Sequence, residues 1–241
     1  ARNVAGDRLI VQSITKHGAE IHGYKPTPSD LVKAQEADLV IENGLGLELW
    51  IEEFITSLGD VPRVILSEGM EPLLIEGDVY SGKPNPHAWM SPKRTIQYVD
   101  NLVDAFIELD PKGAEIYRAN ANEYKQKLLE LDKELKFYIS SIPLNKRVLV
   151  TCEGAFTYLA KDYGMEEAYL WPVNSESQVT PRRMSRLISK IQEKEVPTIF
   201  CETTVSSKAQ LQVAKSSGAK YGGSFFVDSL SDEGGPASSL L

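Results

Sequence analysis

At 241 residues and a formal net charge of −8, with 42% hydrophobic and 25% charged residues, the chain has the length for one large domain or two small ones and the balance of an ordinary globular protein. The acidic balance argues against nucleic acid or an anionic membrane surface as main partner, because both repel it; no apolar run is long enough to cross a bilayer. No signal peptide is visible, and the opening ARNVAGDRLIV and closing EGGPASSLL read as interrupted elements, so segments are expected to be missing at both ends.

The first apolar run, RLIVQSI (8–14), predicts a buried strand. Beyond it come His17, expected to face solvent, and His22, in HGYKPTPSD. A capping residue followed by proline marks a helix start at Thr27-Pro28, and the same grammar recurs at Ser91-Pro92, Asp110-Pro111 and Thr180-Pro181. DLVIEN (38–43) and RVILSE (63–68) predict two more strands, and the stretch NPHAWMSP (85–92) places His87 just ahead of the second helix start.

From Pro111 to Ile139 the pattern changes. Tyr117, Ala121, Tyr124, Leu128, Leu131, Leu135 and Tyr138 form one apolar stripe on an otherwise charged segment, which predicts a single long amphipathic helix. RVLVTC (147–152), PTIFCE (197–202) and GSFFVD (223–228) then predict strands of a second α/β unit. The expected architecture is α/β: two lobes with parallel sheets, residues 1–110 and 142–241, joined by a rigid helix over 111–141.

Chemistry collects at the carboxyl ends of these strands, where open α/β sheets bind ligands. Glu153 follows RVLVTC and Asp228 ends GSFFVD, while the two histidines lie in loops of the first lobe. Together His22, His87, Glu153 and Asp228 would offer two imidazoles and two carboxylates, whose charge offsets a divalent cation. Each also has an ordinary reading: the histidines as polar loop residues, Glu153 as a first-turn helix acid, Asp228 as a cap or turn residue. Their spacing is no compact metal motif. Cys152 and Cys201 end two predicted strands and could be buried thiols or, in an oxidising compartment, a disulfide. Glu202 reads as a strand-end acid or as a support for the site.

The successive blocks GAEIHGYKPTPSD, ADLVIENGLGLE, NPHAWMSP, TCEGAFTYLAKDYG and FFVDSLSDEGGPA resemble those of cluster A-I solute-binding proteins, the metal-capturing proteins of manganese and zinc ABC importers. The resemblance spans nearly the whole chain in order, and the long helix matches the family's backbone helix. It implies a metal site in the cleft between lobes with His22, His87, Glu153 and Asp228 as ligands, His17 outside the set, and a membrane permease as partner. It also implies an extracytoplasmic or periplasmic location, with an N-terminal lipid outside this chain. Zinc-importing members typically carry histidine where Glu153 stands, and a histidine-rich loop absent from 66–84 here; a carboxylate in that place suits Mn(II) better than tetrahedral Zn(II), which stays the alternative cargo. Similarity to the cyanobacterial manganese-binding branch implies a Cys152–Cys201 disulfide. The rival outside this class is a mononuclear metalloenzyme, against which four protein ligands leave little room for a reacting water; an adhesin role would not conflict with metal capture.

Overall fold

The computed structural model describes residues 1–56, 59–76, 80–173 and 179–240. The first lobe contains helices α1 (Arg2–Ala5), α2 (Pro28–Gln35), α3 (Ile51–Thr56) and α4 (Pro92–Leu109), with strands β1 (Val40–Glu42) and β2 (Arg63–Ile65) paired in parallel. Helix α5 (Ala114–Ser140) leads to the second lobe: β3 (Val148–Glu153), α6 (Thr157–Tyr163), β4 (Glu166–Trp171), α7 (Pro181–Lys194), β5 (Thr198–Glu202), α8 (Lys208–Ser217) and β6 (Lys220–Phe225). Strand β3 pairs in parallel with β4, and β5 with β6. The Cys152–Cys201 disulfide joins β3 to β5 with their Cα atoms 4.7 Å apart. Val150, Leu170, Ile199, Leu187, Ile191 and Val213 fill the core between these strands and helices α7 and α8.

Two of the four helix starts are capped by their own side chains. Thr27 and Asp30 form a reciprocal capping box, and Thr180 accepts from the Arg183 amide at 3.3 Å. At the other two the polar side chain is recruited by tertiary contacts instead. Ser91 Oγ donates to Asp162 at 2.7 Å, and the Asp110 carboxylate accepts from Arg8 and Tyr117. The element after Asp110 is accordingly a 3-10 turn, Pro111–Gly113, before α5 begins.

Helix α5 spans 27 residues, about 40 Å at 1.5 Å per residue. Its Tyr117, Ala121 and Leu128 are buried against Val99, Leu102, Val103 and Phe106 of α4 and Val4 and Ala5 of α1. The predicted stripe does not hold to its end: Tyr138 is 65% exposed, because the last turn extends past the packing surface of α4. Conversely Asp132, off the stripe, is buried; it accepts from Tyr163 Oη at 2.8 Å and pairs with Lys136, tying the helix to α6 of the second lobe.

Three strand expectations need correction. Residues 8–14 form no strand: Leu9 and Val11 pack on the α1–α4–α5 core and Ile10 is 90% exposed, but among the described residues no neighbouring segment supplies a ladder. The last strand is Lys220–Phe225 rather than 223–228, since its pairing with β5 begins at Thr198↔Lys220 and shifts register before Cys201↔Ser224. Gly222 permits this shift, for a Cβ there would stand 2.4 Å from the Phe200 ring. Strand β4 lay outside the expected set because its two leading glutamates disguise it; Glu166 is held by Lys190 and Lys194 of α7. Replacing Leu128, 1% exposed, by alanine is expected to cost about 2–5 kcal/mol of unfolding free energy in urea titrations. Leu129→Ala, at a position 38% exposed, should change it by less than about 0.5 kcal/mol.

Candidate metal centre

His87 is presented by a preformed turn. Asn85 Oδ1 accepts from the His87 backbone N–H at 3.0 Å and faces its Nδ1 at 2.9 Å, while Pro86 restricts the chain between them. His22 lies in an irregular loop, fixed beside it by Trp50 Nε1 donating to the Ile21 carbonyl at 3.0 Å. Glu153 is the last residue of β3, and Asp228 follows the end of β6, just past Val227, whose carbonyl accepts from Trp89 Nε1 at 3.3 Å. The strand ends and the NPHAWMSP turn therefore converge on one point at the lobe boundary.

The structure brings His22, His87, Glu153 and Asp228 together, one donor atom of each lying within 4.8 Å of the others. His22 Nε2 is 3.3 Å from His87 Nε2, 3.4 Å from Glu153 Oε1 and 4.0 Å from Asp228 Oδ2. His87 Nε2 is 3.9 Å from Glu153 Oε1 and 3.5 Å from Asp228 Oδ1. Donor separations of 3.3–4.0 Å are of the order that bonds of about 2.0–2.4 Å to one shared ion would set. All four side chains are buried, and Asp228 Oδ1 satisfies no hydrogen bond among the described residues. A buried set of this composition fits a divalent cation, which would neutralise both carboxylates at once.

Electrostatics agree with ligand duty. Burial, reinforced by the neighbouring His87, lowers the His22 pKa to about 3, so its ring is neutral at physiological pH and its lone pair is available. Burial works to raise the Asp228 pKa, but the imidazoles of His87 and His22 facing it carry it below the ordinary value. Beneath the cluster Glu202 is fully buried, and both its oxygens face the Glu153 backbone N–H, at 3.3 and 3.4 Å. Desolvation pushes its pKa up to about 8.

His17 stands apart, half exposed, with Nδ1 3.1 Å from Asp232 Oδ1; beside it the Gly18 amide donates to Ser229 Oγ at 2.7 Å. Glu202 is more than a strand-end acid, since it supports the Glu153 backbone directly. Asn85 was not singled out from the sequence, although an Asn-Pro pair immediately before a histidine is a turn signal that points to it. The contact of Trp89 with Val227 has no local signal, since its partner is 138 residues away.

The raised Glu202 pKa has a signed consequence for the metal-free protein. Folded Glu202 keeps its proton up to about pH 8, whereas the unfolded chain releases it near 4.5, so stability falls as pH rises through that window. His22 acts oppositely: with a folded pKa of about 3 against 6.5, it adds stability as pH rises through that interval and nothing above it. Between about pH 6.5 and 8 the urea midpoint should therefore decline, and Glu202→Gln should flatten the decline.

The model of the family described as "ZnuA: Zinc-uptake complex component A periplasmic" matches residues 1–241. The chain is 50% identical over 241 residues to the iron-binding protein YfeA of Yersinia pestis, covering 100% of this chain and 78% of that protein. It is 35% identical over 240 residues to the manganese ABC transporter substrate-binding lipoprotein PsaA of Streptococcus pneumoniae, covering 97% and 77% of the two. A manganese-bound variant of a periplasmic metal-binding protein from Candidatus Liberibacter asiaticus superposes with a TM-score of 0.92 at 38% identity, covering 99% of this chain and 88% of that one. The two lobes, the long helix and the full-length match place the chain in the ZnuA family of metal-binding, substrate-binding proteins of ABC transporters, which bind their cargo and are not enzymes.

Proposed function

We propose that this protein captures Mn(II) outside the cytoplasm and hands it to the membrane permease of an ABC importer, with His22, His87, Glu153 and Asp228 as ligands. The observation that carries this reading is the buried quartet of two imidazoles and two carboxylates at coordination spacing. The ion exchanges its water for these donors, and its charge cancels the −2 of the carboxylates, which are costly to bury without a cation. Glu153 in place of a third imidazole hardens the site and permits bidentate oxygen ligation, which favours Mn(II) over tetrahedral Zn(II).

A second cargo, Fe(II), is favoured by the 50% identity to a protein named as iron-binding. Zn(II) will compete in solution, since affinity in nitrogen and oxygen sites rises from Mn(II) towards Cu(II); preference for manganese is a matter of geometry and supply. The names of the relatives and the disulfide both support an extracytoplasmic setting, and a lipid anchor N-terminal to this chain fits the lipoprotein relatives. In this reading residues 1–110 and 142–241 are the two lobes and 111–141 the strut. A stiff strut limits hinge closure, so release proceeds through small shifts of the lobes or loops.

Calorimetric titration of metal-stripped, oxidised protein with Mn(II) should show one site per chain, and His87→Ala should weaken it by at least about 100-fold. Zn(II) binding without Mn(II) binding would transfer the protein to the zinc reading; binding of neither would remove the metal role of the quartet. The disulfide, adjacent to Glu153, pins that ligand's strand end to β5. Reducing it, or replacing both Cys152 and Cys201 by serine, should lower Mn(II) affinity while the far-ultraviolet spectrum stays native; equal affinities in the two states would refute this support.

A further inference from the structure

One buried side chain joins the two lobes next to the quartet. Asn85 is 2% exposed, and its amide uses its full hydrogen-bonding capacity. On one side Nδ2 donates to the Gly154 carbonyl at 2.7 Å and to Thr157 Oγ1 at 3.0 Å, both in the second lobe. On the other, Oδ1 meets the His87 backbone N–H and the His87 ring. The orientation of the amide follows from these partners. A carbonyl can only accept, so the NH₂ group must face Gly154; a backbone N–H can only donate, so the oxygen must face His87. His87 Nδ1 at 2.9 Å from that oxygen must then carry the proton, which leaves Nε2 bare in the neutral ring and pointing at the centre. The other tautomer would turn an N–H towards the cation and leave Oδ1 against a second lone pair.

We propose that Asn85 is the positioning residue of the site: it selects the His87 tautomer that can bind metal and, through Gly154, holds that ring in register with Glu153 across the lobe boundary. His87 and Glu153 thereby form a preset half-site, spanning 3.9 Å from Nε2 to Oε1, before any ion arrives. Gly154 is the residue after Glu153, and its own amide is fixed to the Trp171 carbonyl at 3.0 Å, so Asn85 ties the His87 ring to backbone held in place beside Glu153. His22 is brought to this half-site by a loop whose anchors lie in its neighbours, Ile21 and Gly18.

The consequence for affinity rests on the metal-capture reading, but the tautomer does not, and the two are measured separately. With only 3 histidines, ring ¹⁵N resonances of the metal-free protein at mildly alkaline pH can be assigned residue by residue. The native protein should show His87 protonated on Nδ1. Asn85→Ala should lose that preference and weaken Mn(II) binding about 10- to 100-fold. Asn85→Asp keeps an acceptor opposite Nδ1 and gives up both donors, so it should retain the tautomer; it also decides the matter should the alanine variant fail to fold. An Nε2-protonated His87 in the native protein, loss of the tautomer in Asn85→Asp, or an Asn85→Ala variant with native tautomer and native affinity would each overturn the proposal. Failure of the native protein to bind Mn(II), with the tautomer as expected, would instead count against the capture reading alone.

Discussion

The contact on which the rest depends is the seam that residues 85–91 make between the lobes. Alternate side chains of this short segment reach across it: Asn85 to Gly154 and Thr157, His87 to Glu153 and Asp228, Trp89 to Val227, and Ser91 to Asp162. The helix that follows continues the pattern, with Arg94 paired to both oxygens of Asp162 at 3.0 and 3.1 Å. Tyr158 closes the back of the seam, accepting from the Leu73 amide and donating to the Asn85 carbonyl. A segment tied at so many points leaves the His87 ring little freedom to rotate away.

The seam also explains how two carboxylates are tolerated in a buried place. Glu153 and Asp228 face two imidazoles rather than lysine or arginine, and burial drives His22 towards its neutral form. A divalent cation at this cluster would neutralise both carboxylates at once. Glu202 behind Glu153 follows the same logic, since its raised pKa keeps it protonated near neutrality and spares the site a third negative charge.

The frame around the seam divides its labour. Helix α5 packs chiefly on α4 and α1, and reaches the second lobe through the Asp132–Tyr163 hydrogen bond. In the second lobe the disulfide and the Glu153–Glu202 contact fasten the ends of β3 and β5 together, one residue from the quartet. Further contacts between the lobes are made by the Gly18 amide on Ser229 Oγ and by the exposed His17–Asp232 pair.

Local chemistry was enough to reveal the α/β alternation, the long helix and the capped starts at Thr27 and Thr180, because periodicity, proline and capping side chains act within a turn or two of the chain. From the residues alone each of His22, His87, Glu153 and Asp228 had an ordinary role available; the ordered resemblance of whole blocks made them a set. Tertiary structure decided the rest. The run 8–14 had the composition of a strand and lacked a partner, Asp132 was drawn inward by a tyrosine 31 residues away, and Tyr138 was left outside where α4 ends. Above all, the approach of His22 to His87 to 3.3 Å, across 65 residues of sequence, and the double duty of Asn85 between His87 and Gly154 depend on how the lobes meet. No short-range signal encodes that meeting, since it is fixed by the packing of elements far apart in the chain.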